Sequence, residues 1–344
     1  MRYKNLSKCL SLIAIGILII LIIFYNLQTP KAHTKNTFAL NTYISVTVFG
    51  DNGEALAQDA IDIVADAEKV FSAHLPESEL SALNTAHEVG VPYPVSDELF
   101  SVLQGARKLC EKTQGKFDIT IKPILDLWSI TQNPRVPSDV EIQEARKAVD
   151  YRNLALDAAH KTVTFLADDM QIDLGGIAKG YVADKLAAHL KDAYGATIDL
   201  GGNVIVLGKH KGDWKIGIQT PFAPSGAYTA IVKAPSEKTT TVVTSGAYER
   251  NFERDGQLYH HIINPATGYP HNGEIESVTV IGESSMTADA YSTYLFMCTP
   301  EEAIRIAKTE GFDVLIQTKD KAIYTTLDNS AFEITDSNYV LNQV

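Results

Sequence analysis

The chain has 344 residues with 30 basic and 42 acidic side chains, a formal net charge of −12, and is 45% hydrophobic and 21% charged. That composition is globular and excludes a disordered or collagen-like chain. The charge is unevenly placed: residues 1–37 hold five basic side chains and no acid, so the other 307 residues carry −17. An acidic body excludes a nucleic-acid-binding surface and a polybasic membrane-surface domain, because phosphates are bound by clustered Lys and Arg.

Arg2, Lys4 and Lys8 precede an uncharged apolar run. Residues 9–28 have the length an α-helix needs to cross the hydrocarbon layer. The basic flank keeps residues 1–8 cytoplasmic and predicts export of the rest. A cleaved signal peptide is the competing reading, but Phe24–Pro30 has no small-x-small site. Nor does a cysteine follow the run, as a lipoprotein anchor would need; Cys9 lies before it. The expectation is a single-pass anchor in the cytoplasmic membrane, a polar linker over residues 29–37, and one extracytoplasmic domain over residues 38–344. Cys110 and Cys298 read as small buried hydrophobes, with a disulfide between them left open.

Within that domain Phe38–Phe49 alternates like a strand, and Glu54–Phe71 places Ala57, Ile61, Val64 and Phe71 at helical spacing. Ser96 opens a helix through Cys110. Ser138 with Glu141, and Thr299 with Glu302, are capping boxes that start two more, the second stopped by Gly311. β-rich runs fall at Lys161–Phe165, Thr197–Leu207, Trp214–Gln219, Tyr228–Lys233, Ser277–Ile281 and Val314–Gln317. No regular βαβ rhythm appears, so the class is α+β and not a doubly wound parallel sheet.

Four segments carry chemistry. Asp173-Leu-Gly-Gly-Ile-Ala-Lys-Gly-Tyr181 ends a strand in a Gly pair and enters a helix over Ala178–Leu190. Such a turn lets backbone N–H groups approach an anion, with Lys179 adding charge. Asp199-Leu-Gly-Gly202 repeats its first four residues, so two turns could hold two ends of a phosphate-rich ligand; the alternative is that the glycines only make tight turns. In Thr287–Thr293, a helix would bring Asp289 and Thr293 onto one face, two oxygens fit for Mg²⁺. The same pair also suits an ordinary helix, Asp serving the first turn and Thr bonding a carbonyl one turn back. In Tyr259-His-His-Ile-Ile-Asn-Pro-Ala-Thr-Gly-Tyr-Pro270, one of His260 and His261 could be a general base at a pocket mouth; neighbours on a strand face opposite ways, so only one can. Gly115–Pro123 with Leu127-Trp128 could line a ring-binding pocket or simply fill the core.

In this order, the four segments resemble the ApbE family, the FAD:protein FMN transferases, together with Glu77-Ser-Glu-Leu-Ser81 and Thr244-Ser-Gly-Ala-Tyr-Glu-Arg250. The resemblance runs from Phe38 to about Ile316. It implies a mixed α/β domain that binds FAD and a divalent metal. The implied reaction moves FMN from FAD to a threonine hydroxyl of an exported flavoprotein through a phosphoester bond, releasing AMP. By similarity Mg²⁺ is held by Asp289, Thr293 and the carbonyl of Ala178, and His261 is the base. Implied FAD contacts are Leu40, His74, Lys116, Phe117, Asp118, Gly175, Lys179, Tyr181 and Ile263. This chain departs from the family pattern at Asn41, His74, Ala247 and Asn264. Two alternatives stand beside the transferase: a metal-dependent FAD diphosphatase, and a non-catalytic FAD-binding protein.

Overall fold

A computed structural model describes residues 30–342. The expected anchor, residues 9–28, lies outside them; among the described residues no helix is long and apolar enough to cross a membrane. A nine-stranded sheet organises the fold: β1 (Ala32–Ala39), β2 (Thr42–Phe49), β3 (Gly195–Asp199), β4 (Asn203–Gly208), β5 (Thr240–Gly246), β6 (Ile275–Gly282), β7 (Asp313–Thr318), β8 (Ala322–Thr325) and β9 (Val340–Asn342). Spatial order follows chain order, and every pairing is antiparallel except β8 with β9. The mixed architecture agrees with the α+β expectation.

Among the described residues the α-helices are α1 (Gly53–Phe71), α2 (Glu79–Ala86), α3 (Asp97–Lys112), α4 (Lys122–Trp128), α5 (Asp139–Arg146), α6 (Ala178–His189), α7 (Ser285–Phe296) and α8 (Pro300–Glu310). In α1, buried Ala57, Ala60, Val64, Ala67 and Phe71 recur every three or four residues, forming the stripe that packs on β1 and β2. Ser138 makes the expected capping box with Glu141, and Gly311 ends α8 in the left-handed region at φ 80°. The other face of the sheet is partly covered by a three-stranded sheet of Trp214–Gln219, Tyr228–Ala234 and Phe332–Ile334, packed on Val206, Val242, Ile281 and Leu315.

Several sequence expectations change here: Phe38–Phe49, read as one strand, breaks at Leu40-Asn41 between β1 and β2, and Thr299 accepts from the Glu302 N–H without the reciprocal bond of a capping box. Residues 32–37, read as linker, form most of β1. Their side chains are polar on both faces, so the strand has no hydrophobic alternation to reveal it. The run Thr197–Leu207 is two strands, because Asp199-Leu-Gly-Gly202 is the β3–β4 turn. Gly201 and Gly202 there have φ of 64° and 84°, a reversal that favours glycine. Cys110 and Cys298 are both buried and both free.

Helices α6 and α7 are joined by reciprocal capping. Asp184 of α6 accepts bonds from the backbone N–H of Ser285 (2.7 Å) and Met286 (3.0 Å) and from the Ser284 hydroxyl (3.1 Å), at the start of α7. Asp289 of α7 accepts from the Gly180 N–H of α6 at 2.9 Å. A Cβ at Gly180 would lie 2.3 Å from the Ser285 carbonyl oxygen, so only glycine permits this approach. Gly180→Ala is therefore expected to lower the unfolding free energy by about 1–3 kcal/mol, as overpacking against backbone does, measured by urea denaturation.

Candidate functional site

The N-terminus of α6 and the middle of α7 form the floor of a cavity of about 570 Å³, a size suited to a dinucleotide-like ligand. Its walls are the β1–β2 turn with the end of α1, the segment Lys116–Ile119 with the end of α4, and the stretch from Thr244 to Arg250 with His261–Ile263. Twelve of the thirteen residues singled out from the sequence line it: Leu40, His74, Lys116, Phe117, Asp118, Gly175, Ala178, Lys179, His261, Ile263, Asp289 and Thr293. Tyr181 is not among the lining residues. It follows Gly180 by one position on α6, and its ring packs edge-on against Phe71, with centroids 5.4 Å apart.

The floor is a cation-attracting place. Asp289 is 3% exposed, and its Oδ1 takes the Lys179 ammonium at 3.2 Å. That ammonium also donates to the Gly175 carbonyl at 3.0 Å. The Thr293 hydroxyl lies 3.5 Å from the Ser245 hydroxyl and donates to the Asp289 carbonyl at 3.4 Å. A Cβ on Gly176 would come 3.1 Å from the Phe117 ring and 3.5 Å from the Thr293 hydroxyl oxygen, so glycine brings the backbone close to the metal-ligand candidates. Carboxylate, hydroxyl and carbonyl are the oxygen donors that a hard divalent cation takes. Among the described residues no cluster of three or more His, Cys, Asp and Glu could hold a metal. Asp289, Thr293 and the Ala178 carbonyl therefore suit an ion that completes its shell with substrate phosphate and water.

Of the two readings of the twin tetrapeptides, anion-binding turns or tight turns, the hydrogen bonds favour tight turns. In both, the leading Asp turns back on its own backbone: Asp173 accepts from Gly175 N–H at 2.7 Å and Asp199 from Gly201 N–H at 2.9 Å. At α6 the N–H groups of Ile177 and Ala178 bond Leu174, and that of Gly180 bonds Asp289. The first turn thus spends most of its donors inside the protein, and the second reverses a hairpin. Both still border the cavity, through Gly175, Gly176 and Gly201.

The two histidines separate. His260 is buried, with Nε2 2.7 Å from the His271 carbonyl and its ring edge-on to Phe296. His261 lines the cavity with Nδ1 3.3 Å from the Arg250 carbonyl, leaving Nε2 as the acceptor when Nδ1 carries the proton. Burial, reinforced by the Arg250 charge, pushes His261 down to about 3, so it is a neutral imidazole at neutral pH. Arg250 also donates to the Asn41 carbonyl at 3.0 Å, tying this wall to the β1–β2 turn. Asp118 lines the cavity yet is engaged within the protein, accepting from the Thr120 N–H and hydroxyl at 2.8 and 2.7 Å and from Tyr151 N–H at 3.0 Å. Lys116 pairs with Glu302 at 3.2 Å. Asn264 closes its turn by accepting from the Ala266 N–H at 2.9 Å.

Glu249 and Glu68 were not singled out from the sequence. Glu249 reaches into the cavity, open to its solvent yet walled by protein, and that enclosure pushes its carboxyl up to about 7 against the pull of Lys179 and Arg250. Its place within Thr244–Arg250 was the available signal. Glu68 accepts the Leu40 N–H at 2.8 Å from one helix away, a contact no local pattern announces.

Comparison with known proteins identifies the family. The ApbE family model matches residues 40–316. A FAD:protein FMN transferase of Treponema pallidum is 33% identical, with 91% of this chain and 92% of that protein covered. One from Klebsiella pneumoniae is also 33% identical, over 83% and 90%. The crystal structure of the ApbE protein from Thermotoga maritima superposes with a TM-score of 0.78 at 32% identity, covering 85% of this chain and 96% of that one. The flavin transferase ApbE of Vibrio cholerae gives 0.74 at 26% identity, over 88% and 96%. The chain is a transferase, and it belongs to the ApbE family.

His260 makes stability depend on pH. Burial holds its folded pKa at about 4, below the unfolded value near 6.5. Its contribution is complete above pH 6.5 and lost as pH falls toward 4, with a penalty of about 2 kcal/mol at pH 5. His260→Gln is expected to flatten the fall of melting temperature between pH 6.5 and 4.5, read by calorimetry at fixed salt.

Proposed function

We propose that this transferase moves the FMN half of FAD onto a threonine hydroxyl of an acceptor flavoprotein, with Mg²⁺ bound at Asp289, Thr293 and the Ala178 carbonyl. The observation that carries the reading is the buried Asp289 carboxylate on the cavity floor, already holding an ammonium cation beside Thr293. A bound divalent ion would neutralise charge that develops on the transferring phosphate. The chain's own groups do the rest. The cavity walls hold FAD so that the FMN-side phosphorus faces the floor, and placement alone is worth several orders of magnitude in rate. His261, neutral above about pH 3, accepts the threonine proton at Nε2 as the Oγ–P bond forms. The bond from that phosphorus to the bridging oxygen breaks, and its electron pair leaves with AMP. Lys179 offers positive charge to the diphosphate. The uncharged run of residues 9–28 supports a membrane-tethered placement, with this chemistry outside the cytoplasm.

The test is to incubate the full chain in detergent with FAD, Mg²⁺ and a flavin-free acceptor flavoprotein domain. Mass spectrometry is expected to find an FMN adduct on a threonine and AMP in equal amount. FMN and AMP without adduct would make the protein a diphosphatase; bound FAD without AMP would make it a carrier. Asp289→Asn is expected to slow transfer on the order of 10²-fold or more while FAD affinity changes far less. Equal turnover of that variant at saturating Mg²⁺ would remove the metal assignment.

A further inference from the structure

Among the described residues nothing pairs with the outer edge of β1, and this edge leads into the cavity. β1 is the end strand of the nine-stranded sheet, and its eight residues pair with β2 in unbroken register from Ala32 with Phe49 to Ala39 with Thr42. The two-residue turn Leu40-Asn41, with φ of 51° and 59°, makes Ala39 and Thr42 a hydrogen-bonded pair. Hydrogen-bonded pairs alternate along such a ladder, as the Gly50 N–H bond to the Lys31 carbonyl at 2.9 Å confirms at its other end. The N–H and C=O groups of Thr34, Asn36 and Phe38 therefore point outward, away from β2.

Exposed edges are normally blunted by a bulge, a proline or an outward lysine. β1 has no bulge and no proline. Its one lysine, Lys35, reaches Glu54 of α1 at 3.7 Å. At the cavity end the edge carries Phe38, 70% exposed, opposite Tyr43, 61% exposed. Phe38, Leu40 and Asn41 themselves belong to the cavity wall. The apex is braced by the bonds from Leu40 to Glu68 and from Arg250 to Asn41, so the edge is fixed in place before any partner arrives.

We propose that the acceptor flavoprotein docks here, laying the extended segment that carries its threonine along β1 as an added strand, with Tyr43 and Phe38 gripping its side chains at the cavity mouth. The commitment to the acceptor, over a second copy of this chain, rests on continuity: a strand added to this edge ends where the hydroxyl must meet the phosphorus. Main-chain bonds to the edge supply affinity, and the aromatic pair favours small or apolar side chains near the threonine. This inference rests on the transferase reading, and its failure is separable from failure of that reading.

Asn36→Pro removes one outward N–H and leaves the bonds to β2 intact; Tyr43→Ser removes one grip. With the acceptor domain that the wild-type chain modifies, each is expected to lower kcat/KM for acceptor at least 10-fold through KM, with FAD affinity unchanged. In the wild-type chain, residue-resolved hydrogen exchange is expected to slow at Thr34, Asn36 and Phe38 on adding acceptor, with the alternate amides unaffected. Normal acceptor kinetics in Tyr43→Ser together with unchanged exchange at the three amides would overturn the proposal. So would a parallel loss of FAD affinity in both variants, or protection of the same amides by self-association without acceptor. Absence of any adduct with the wild-type chain would instead remove the transferase reading.

Discussion

The reciprocal capping of α6 and α7 is the contact on which the site depends. Each helix supplies a carboxylate to the backbone of the other, Asp184 to the first turn of α7 and Asp289 to Gly180 near the first turn of α6. Free N–H groups at helix starts are strong donors in search of acceptors, and a buried carboxylate costs free energy unless such donors meet it. Each defect therefore cures the other. The missing side chain at Gly180 lets the two backbones close to that distance. Asp289 is consequently aimed at one spot, with Lys179 fixed across from it.

This geometry resolves the apparent conflict between an acidic protein and an anionic ligand. The cavity wall includes Glu68, Asp118, Asp126, Asp173, Glu249 and Asp289 against Lys116, Lys179 and Arg250. Several of those acids are spent internally: Glu68 on Leu40, Asp118 on Thr120 and Tyr151, Asp173 on Gly175. Lys179 stands on the floor itself, 3.2 Å from Asp289. Net charge describes the surface as a whole, whereas a diphosphate responds to the few groups within one screening length of it.

Much of the fold was legible in the sequence, for identifiable reasons. The stripe of α1, the capping box at Ser138 and the Gly311 stop each write their geometry into local composition. β1 did not, because a polar edge strand pressed on one side by a helix has no apolar period. The doubled Asp-Leu-Gly-Gly shows the limit of local reading in another way. The same tetrapeptide makes the same Asp-to-glycine bond twice, then enters a helix once and a strand once. The sign of φ at the glycines separates the outcomes, and tertiary packing sets that sign. Of the site, spacing alone leaves Asp289 with Thr293 and the choice between His260 and His261 open; the family resemblance names Asp289, Thr293 and His261, and all three border one cavity. Glu249 lies inside a motif already in hand, and Tyr181, implied by the same resemblance, packs on Phe71 instead of bordering the cavity, because a motif does not say which way a helix presents a ring.

Leu40 shows what the cavity demands of its rim. A leucine at φ 51° occupies a backbone region that disfavours side chains by roughly 1 kcal/mol or more. Glycine would relax that turn and leave the Glu68 bond, which uses only backbone. The chain has leucine, which borders the cavity and packs against the hydrophobic core. A redesign that scored backbone strain alone would choose glycine at this position and remove part of the cavity rim. Backbone strain at this turn is therefore set against core packing and the shape of the cavity rim together, and glycine would exchange one for the other two.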